Sequence, residues 1–226
     1  MINRLHAYLR RPENGWDPVP PAHALTYAQN EWAAGIRADL MDHLEKWVGG
    51  FEGKRVLDLG GGPGQYAVAF AKRGCDVTWH DVSRIYQQFA AQKADEHRVK
   101  LKFSIGYLDE APRLLAQRFD LVFNRICWNY GWHDHSFAAV VYELVKPGCA
   151  GYVDTTHSGW RRETLSMPAR IRTWANDVLA IKLGHPFPPH GRLVRLFAKM
   201  PMEKLLVDYS SPHNDRISFV KARTHK

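Results

Sequence analysis

Residues Val56–Gly64 read VLDLGGGPG, and this stretch decides the fold. A short apolar run leads into three consecutive glycines and a Pro-Gly step, and residues 65–72 that follow have helical composition. A strand, a glycine turn and a helix in this order place a ligand at the carboxyl end of a parallel sheet. Because a packed core does not require so many side chains to be absent at once, the pattern predicts that a ligand approaches the backbone of the turn.

Length and composition favour a globular protein with one sizeable core. The 226 residues are 45% hydrophobic and 12% aromatic. No apolar run approaches the roughly 18 residues of a membrane span, and the first residues lack the apolar segment of a secretory signal. Cys75, Cys127 and Cys149 show no metal-binding spacing and indicate reduced thiols. We therefore expect a single domain over residues 1–226 and a cytoplasmic location.

Strand-like and helix-like segments alternate from Lys54 onward, which predicts an α/β fold with a mainly parallel sheet. The predicted strands are 55–59, 76–80, 101–105, 121–124 and 150–155, followed by a closing antiparallel pair at 204–209 and 217–220. The predicted helices between them are 65–72, 84–94 and 136–144. Residues 1–50 and 156–202 lie outside this alternation, and we expect them to form two helical covers over the open end of the sheet. In the first cover the apolar residues that recur at helical spacing are Ala33, Ile36, Leu40, Leu44 and Trp47.

Two common nucleotide-binding motifs are excluded by the spacing of the glycines. A phosphate-binding P-loop requires a Lys-Ser/Thr pair after its glycines, and no such pair follows here. A nicotinamide dinucleotide fingerprint requires its third glycine at position 65 or 66, which are Gln65 and Tyr66. The spacing that is present is Asp58-x-Gly60-x-Gly62-x-Gly64.

This spacing resembles the first motif of the class I S-adenosylmethionine-dependent methyltransferases. Asp81 ends the second strand region, where this family has a carboxylate that accepts hydrogen bonds from both ribose hydroxyls of the cofactor. Leu144–Gly148, which reads LVKPG, is similar to the family's Pro-Gly turn before its fifth strand. The resemblance covers roughly residues 30–223 and implies a Rossmann-like three-layer sandwich. Its seven-stranded sheet is expected in the order 3-2-1-4-5-7-6, mostly parallel, with the last strand antiparallel.

The resemblance also implies S-adenosylmethionine as the cofactor. The residues expected to bind it are Asp58, Gly60, Gly61, Gly62, Gln65, Asp81, Val82, Leu108 and Asn124. Asp58 is expected to hold the glycine loop or the ammonium group of the cofactor, and not the ribose. One feature departs from the family, because no Asp directly follows Gly106 at the end of the third strand. Adenine recognition then falls either to Asp109 or to Tyr107 and Leu108.

The methyl acceptor is expected to meet the ends of strands four and five. Residues Asn124–His135 lack the Asn/Asp-Pro-Pro-aromatic run of amino-methylating nucleic-acid enzymes, and no proline precedes Cys127 as in cytosine C5 enzymes. The aromatic residues and histidines here fit a flat or sugar-like acceptor whose proton is taken by an imidazole. The alternative is the start of a helix with Asp134 as N-cap and the aromatic residues in the core. The candidate general bases are His133, His135 and His157.

Basic residues concentrate in the second cover. Between residues 160 and 200 the sequence has eight basic and two acidic side chains, which account for most of the formal net charge of +8. Arg192, Arg195 and Lys199 share one helical face, which is either a solvated surface or a contact for an anionic acceptor. No metal site is predicted, because Asp154 lacks the second acid that magnesium-dependent members of the family carry.

The sequence therefore predicts methyl transfer from S-adenosylmethionine to a small-molecule or glycan-like acceptor, with an anionic acceptor as one option. The alternatives are an RNA methyltransferase that uses the basic cover and a catalytically silent, methyltransferase-like binding subunit. Nucleic acid is the less favoured partner, because only three charges share one short helical face. The sequence identifies neither the acceptor atom nor the oligomeric state.

Overall fold

A computed structural model of the chain describes residues 7–159 and 165–223, and a seven-stranded sheet lies at its centre. The strands are β1 (Arg55–Leu59), β2 (Asp76–Asp81), β3 (Leu101–Ile105), β4 (Phe119–Arg125), β5 (Val145–Thr156), β6 (Met202–Asp208) and β7 (Asn214–Lys221). Their order is β3-β2-β1-β4-β5-β7-β6. The first five strands are parallel, and β7 is antiparallel to both of its neighbours. The predicted fold class and strand order are confirmed.

Helices cover both faces of the sheet. They are α1 (Pro21–Ala34), α2 (Ala38–Val48), α3 (Gln65–Lys72), α4 (Arg84–Glu96), α5 (Ala111–Leu114), α6 (Asp134–Leu144), α7 (Met167–Leu179) and α8 (Arg192–Phe197). Residues of α2, α3 and α4 form one core with Val56 of β1, whereas residues of α6 and α8 form a second core with Leu57 and Leu59. Adjacent residues of β1 thus point into opposite cores, which makes both faces of the strand apolar. The result is the expected three-layer sandwich.

The junction between α6 and β5 differs from the predicted Pro-Gly turn. β5 begins at Val145, directly after the helix, and its pairing with β4 shifts between Val145 and Ala150. Gly148, within this stretch, has φ +72°, a conformation that glycine adopts without a steric penalty. Pro147 and Gly148 therefore form an irregularity inside the strand instead of a turn before it, which suits a proline because it cannot donate a ladder hydrogen bond.

The first cover consists of two helices where the sequence indicated one continuous helical period. Gly35, at φ +73°, ends α1, and its N–H donates to two carbonyls of the last turn. Ile36 lies in the connection and is 37% exposed, so its predicted place on an apolar helical face is wrong. Leu40 and Leu44 of α2 are buried, and the predicted spacing holds from Leu40 onward.

The second cover is described only in part, because Arg161 and Arg162 fall outside the described residues. α7 has an exposed apolar side, formed by Met167, Ile171, Trp174 and Val178. α8 buries Leu193 and Phe197 against the sheet, as its amphipathic pattern predicted. Within the described ranges no helix has both the length and the apolar character to cross a membrane. That the whole chain forms one domain stays a prediction.

Candidate cofactor site and acceptor side

Two positions of the turn between β1 and α3 require glycine, each for a different reason. Gly60 has φ +83°, and a Cβ built on it would lie 2.3 Å from the Sγ of Cys127. Gly62 has φ +47°, but a Cβ built on it would meet no atom within 4 Å. Gly60 is therefore required by packing inside the protein, which also supports the predicted structural role of Cys127. Gly62 instead presents bare backbone to open space, as a site for a ligand requires.

The backbone of Gly62 is held on both sides. Its N–H donates to Oδ2 of Asp81 at 3.0 Å, and its carbonyl accepts from Nε1 of Trp79 at 3.0 Å. The other carboxylate oxygen of Asp81 accepts from the N–H of Ser83 at 3.0 Å, with Val82 between the two residues. Burial raises the pKa of Asp81 above its usual value. Each oxygen keeps a second acceptor position, so the carboxylate is able to receive the two hydroxyls of a ribose.

Asp58, next to the last residue of β1, is a buried acid beneath the turn, and the backbone N–H of Ala67 binds its carboxylate. Its side chain is 3% exposed, and within the described part of the chain its Oδ2 has no hydrogen-bond partner. Burial, with the nearby charge of Asp81 as the second cause, raises the pKa of Asp58 to about 7. A buried acceptor with no donor is costly. The cofactor's ammonium group would supply a donor and a charge, so the residues present fit S-adenosylmethionine.

The first cover closes the turn from above with residues that the sequence reasoning missed. A cavity of about 40 Å³ beside the turn is lined in part by Tyr27 and Glu31 of α1, by Arg125 at the end of β4 and by Ile126 after it. Gln65, a predicted cofactor residue, donates from Nε2 to Oε2 of Glu31 at 2.9 Å. These residues belong to no motif, and only the expectation of a helical cover pointed towards α1.

Ile126 marks the end of β4 with an unusual backbone. It has φ +60°, a left-handed conformation that is strained for a β-branched residue, and its side chain is partly exposed. Its N–H donates to the carbonyl of Asp154 at 2.7 Å, which holds the ends of β4 and β5 together. Such strain clusters at functional sites. Ile126 also lines the cavity at the glycine turn, so the strained residue borders the candidate site.

Asn124 supports the turn from below. It is fully buried, and its Nδ2 donates to the carbonyl of Leu59 at 2.8 Å and contacts Sγ of Cys127 at 2.9 Å. Its Oδ1 finds no hydrogen-bond partner in the described ranges. The amide thus links the ends of β1 and β4, and its predicted contact with the cofactor stays a prediction.

On the adenine side, the geometry favours Leu108 over Asp109. Leu108 is buried, and its Cδ2 lies 3.7 Å from the position of a Cβ built on Gly60. Asp109 instead accepts from the N–H of Trp132 at 2.8 Å, and so supports the loop after β4. The Trp132 ring lies 5.9 Å from that of Tyr107, centroid to centroid. Leu108 therefore borders the glycine turn, while Tyr107 and Asp109 contact Trp132 in the loop after β4.

Some of the aromatic residues that follow β4 lie in the core, and others lie in an exposed loop. His133, and not Asp134, is the N-cap of α6. Asp134 is the first helical residue, and its buried carboxylate accepts from Nε1 of Trp128 at 3.1 Å. Trp128 is fully buried, whereas Tyr130 is exposed. The alternative interpretation of this stretch, a helix start with core aromatic residues, is thus right in placing Trp128 in the core. It is wrong in naming Asp134 as the N-cap.

The three candidate bases lie in different surroundings. His133 is half-buried at the start of α6, and His135 is exposed on the first turn of that helix. His157 is buried beyond the end of β5, where its ring lies 4.7 Å from that of His190, centroid to centroid. The fold therefore separates His157 from the other two candidates and gives it a histidine neighbour.

The predicted basic face of α8 is reduced to two residues. Arg192 turns inward and donates to Oδ2 of Asp134 at 3.1 Å and to the carbonyl oxygens of Asn176 and Asp177 at 2.6 and 2.9 Å. Its guanidinium thus joins α8 to α6 and to the carboxyl end of α7. The expectation that Arg192 shares an exposed face with Arg195 and Lys199 is wrong, because the free carbonyls of α7 and a buried carboxylate bind it.

A larger cavity lies between the start of α2 and strands β5, β6 and β7. It has a volume of about 280 Å³, and its lining includes Arg37, Tyr152 and Arg216. Oη of Tyr152 and Nε of Arg216 are buried without a hydrogen-bond partner among the described residues. Burial raises the pKa of Tyr152, so its phenol remains a donor at neutral pH. Two buried donors without acceptors fit a ligand that carries oxygen atoms.

One carboxylate, that of Asp154, lies near an arginine of this larger cavity and near an arginine of the cavity at the glycine turn. We refer to the larger cavity as the acceptor-side cavity. Oδ2 of Asp154 lies 3.8 Å from Nε of Arg216 and 3.7 Å from Nε of Arg125. Arg125 lines the cavity at the glycine turn. Its guanidinium also lies 5.1 Å from the ring centroid of Tyr66, next to the turn. The two cavities are therefore neighbours at the carboxyl ends of β4 and β5.

Comparison with known proteins places this geometry in a family. Residues 56–148 match the family model described as a methyltransferase domain. The ubiquinone biosynthesis O-methyltransferase of Alkalilimnicola ehrlichii is 34% identical over 111 residues, which are 48% of this chain and 44% of that protein. The chain thus aligns with less than half the length of this curated relative.

Solved structures share the fold at low sequence identity. Magnesium protoporphyrin IX methyltransferase from Synechocystis, with bound SAH, has a TM-score of 0.59 and 14% identity, with 81% of this chain and 82% of that chain covered. The [4+2]-cyclase SpnF has the same TM-score of 0.59 at 16% identity, covering 82% of this chain and 80% of that chain. The fold alone therefore does not determine the reaction.

Fold, glycine turn and matched segment together define the class. Residues 56–148 match a methyltransferase domain, and this match, together with the fold and the glycine turn, supports a class I methyltransferase domain whose cofactor is S-adenosylmethionine. The particular proteins to which it is similar in sequence are ubiquinone biosynthesis O-methyltransferases. The recognition of the family and of its cofactor from the glycine spacing is confirmed.

Proposed function

We propose that the protein is an enzyme that transfers a methyl group from S-adenosylmethionine to a small-molecule acceptor. The observation that carries the proposal is the conjunction of bare backbone at Gly62, a half-buried carboxylate at Asp81 and a buried oxygen of Asp58 without a donor. When bound, the cofactor supplies an electrophilic methyl group, and the contribution of the protein is orientation.

In this proposal each end of the cofactor has its own partners. Asp81 receives the ribose hydroxyls, and Asp58 receives the ammonium group. The backbone of Gly60, Gly61 and Gly62 borders the amino-acid end, and Leu108 packs against adenine. Gln65, Val82 and Asn124 complete the surroundings. Two of these groups are already oriented by hydrogen bonds, Asp81 to Gly62 and Asn124 to Leu59, so little ordering is left to the binding step.

The acceptor is proposed to bind in the acceptor-side cavity, between α2 and β5. Its volume of about 280 Å³ suits a small molecule and not a folded RNA. Oη of Tyr152 and Nε of Arg216 both require an acceptor atom, and a carboxylate or phosphate oxygen provides one. An anionic acceptor, expected from the basic second cover, would here meet Nε of Arg216, whose Nη1 is already ion-paired with Asp208 at 3.2 Å.

His133 is the proposed general base if the acceptor atom is a hydroxyl. It is half-buried in the loop that begins at the strained Ile126, next to the glycine turn. His135 is exposed on α6, and His157 packs against His190. Imidazole is the side chain best suited to proton removal near neutral pH.

The proposal is tested with tritiated S-adenosylmethionine and a panel of small phenols, each supplied with and without a carboxylate. We expect label in the carboxylated members and a KM that rises with ionic strength. Tyr152→Phe should raise the acceptor KM by about 10-fold while S-adenosylmethionine affinity is unchanged, since one hydrogen bond to an anion is lost. Tyr142→Phe is the matched control, because that phenol bonds to the carbonyl of Pro201. Cofactor binding without transfer to any member would favour the catalytically silent alternative.

A further inference from the structure

Three metal-ligating side chains meet at the edge of the sheet beyond β5. His157 follows β5, His190 precedes α8, and Asp215 is the second residue of β7. One ligand atom from each of them lies within 4.8 Å of the other two. Nδ1 of His190 is 2.6 Å from Oδ1 of Asp215. The fold thus collects two imidazoles and a carboxylate from three separate parts of the chain.

Asp215 is a buried acid with little compensating charge. Its side chain is 0% exposed, and the ion pair that the described residues give it is with His190. Its Oδ2 accepts from the N–H of Gly191 at 2.7 Å. A buried carboxylate is stable only when a cation or strong donors compensate it. The pair with His190 supplies a positive charge only when that imidazole is protonated.

His157 supplies a second, independent observation. It is 8% exposed, and its Nδ1 has no hydrogen-bond partner within the described ranges. Neutral imidazole is the form that binds a metal ion. A nine-tenths buried ring nitrogen without a partner among the described residues therefore lies in the same cluster as the buried acid.

We propose that His157, His190 and Asp215 bind a zinc ion. Two imidazole nitrogens and one carboxylate oxygen are a frequent zinc set, whereas magnesium and calcium prefer oxygen ligands alone. Ligand atoms on tetrahedral zinc lie about 3.3 Å apart, so His190 and Asp215 have to separate by about 0.7 Å, and the proton between them leaves. The exposed ring of His190 has room for this movement, and solvent supplies the fourth ligand.

A zinc ion at this position would join the second cover to the sheet. His190 belongs to the segment before α8, whereas His157 and Asp215 belong to the ends of neighbouring antiparallel strands. This cluster was not predicted, because residues 157, 190 and 215 form no spacing motif. Zinc binding does not depend on the proposed methyl transfer, so failure of one leaves the other standing.

The test is calorimetric titration of zinc chloride into the full chain after dialysis against a chelator. We expect one equivalent to bind, with an increase in the unfolding temperature, and magnesium chloride to produce neither. His190→Ala removes an exposed ligand with little risk to folding and should weaken zinc binding at least about 10-fold. Asp215→Asn and His157→Ala should have the same effect. His23→Ala, which removes an exposed histidine of α1, is the matched control and should bind as the parent does.

Cobalt chloride gives a spectroscopic readout of the same ligands. The parent should show the visible absorption of tetrahedral Co²⁺, and His190→Ala should lose it. Zinc binding of equal affinity and stoichiometry in the parent and in a folded His190→Ala variant would overturn the proposal. So would the absence of a bound equivalent in the parent.

Discussion

The substitution Gly62→Val tests the cofactor site most sharply, because the structure separates its effects on folding and on binding. A Cβ at Gly62 meets no protein atom within 4 Å, so the new side chain causes no clash in the free protein. The backbone N–H and carbonyl of residue 62 form hydrogen bonds of 3.0 Å with Asp81 and Trp79, and these bonds prevent the backbone from moving away. The valine therefore stays in the space that the proposal gives to the cofactor.

The expected magnitudes differ for the two effects. A left-handed conformation costs an L residue about 1–2 kcal/mol, which lowers the unfolding temperature of a chain of this size by about 2–8 °C. Displacing the cofactor from Gly62 and Asp81 removes at least two hydrogen bonds, one of them to a charged group. That loss exceeds about 3 kcal/mol, which is a fall in affinity of more than about 100-fold.

Gly53→Val is the matched control. Gly53 has φ +69° and, like Gly62, no atom within 4 Å of a built Cβ, but it lies in the turn before β1. Both variants should lose similar unfolding free energy in urea, and only Gly62→Val should lose calorimetric binding of S-adenosylhomocysteine. Parental affinity in a folded Gly62→Val variant would refute the placement of the cofactor against this turn.

Three further predictions concern single side chains. Asp81→Asn should weaken S-adenosylhomocysteine binding about 10- to 150-fold, since charge-assisted bonds to the ribose are lost; unchanged calorimetric affinity would contradict it. Because burial raises the pKa of Asp58 to about 7, cofactor affinity should increase between about pH 6 and 7.5 as this acid ionises, and Asp58→Asn should abolish the increase. In the free protein the same shift should lower the unfolding free energy as pH rises from about 4 to 7, because the folded chain retains a proton that the unfolded chain has lost. His133→Ala should reduce turnover by about 10²- to 10⁴-fold with cofactor affinity intact, and near-parental turnover would leave orientation as the mechanism.

Much of the fold follows from the sequence because parallel strands buried on both faces leave a clear apolar signal. β1, β3 and α3 have the predicted bounds, and the closing strands are antiparallel as expected. The break at Gly35 was not predicted, because helical spacing counts apolar residues and does not register a left-handed glycine between them. β5 begins at an earlier residue than predicted, because its pairing with β4 accommodates Pro147 and Gly148 as an irregularity.

The candidate site likewise contains residues that the sequence predicted and residues that it did not. The glycines and Asp81 carry a local spacing that the ligand imposes, and the sequence therefore predicted them. Tyr152, Arg216 and Asp215 meet their partners only through strand register and the packing of α2 and α8, for which one sequence carries no local signal. The inward turn of Arg192 was missed for a related reason, since helical spacing does not include the carbonyls at the end of another helix.

The most direct test of the central claim is a crystal structure of the protein with S-adenosylhomocysteine. We expect both ribose hydroxyls within about 3.2 Å of the Asp81 carboxylate, the amino-acid end against Gly60–Gly62, and the ammonium group directed at Asp58. A ribose held by other residues, or a ligand bound away from the glycine turn, would contradict it.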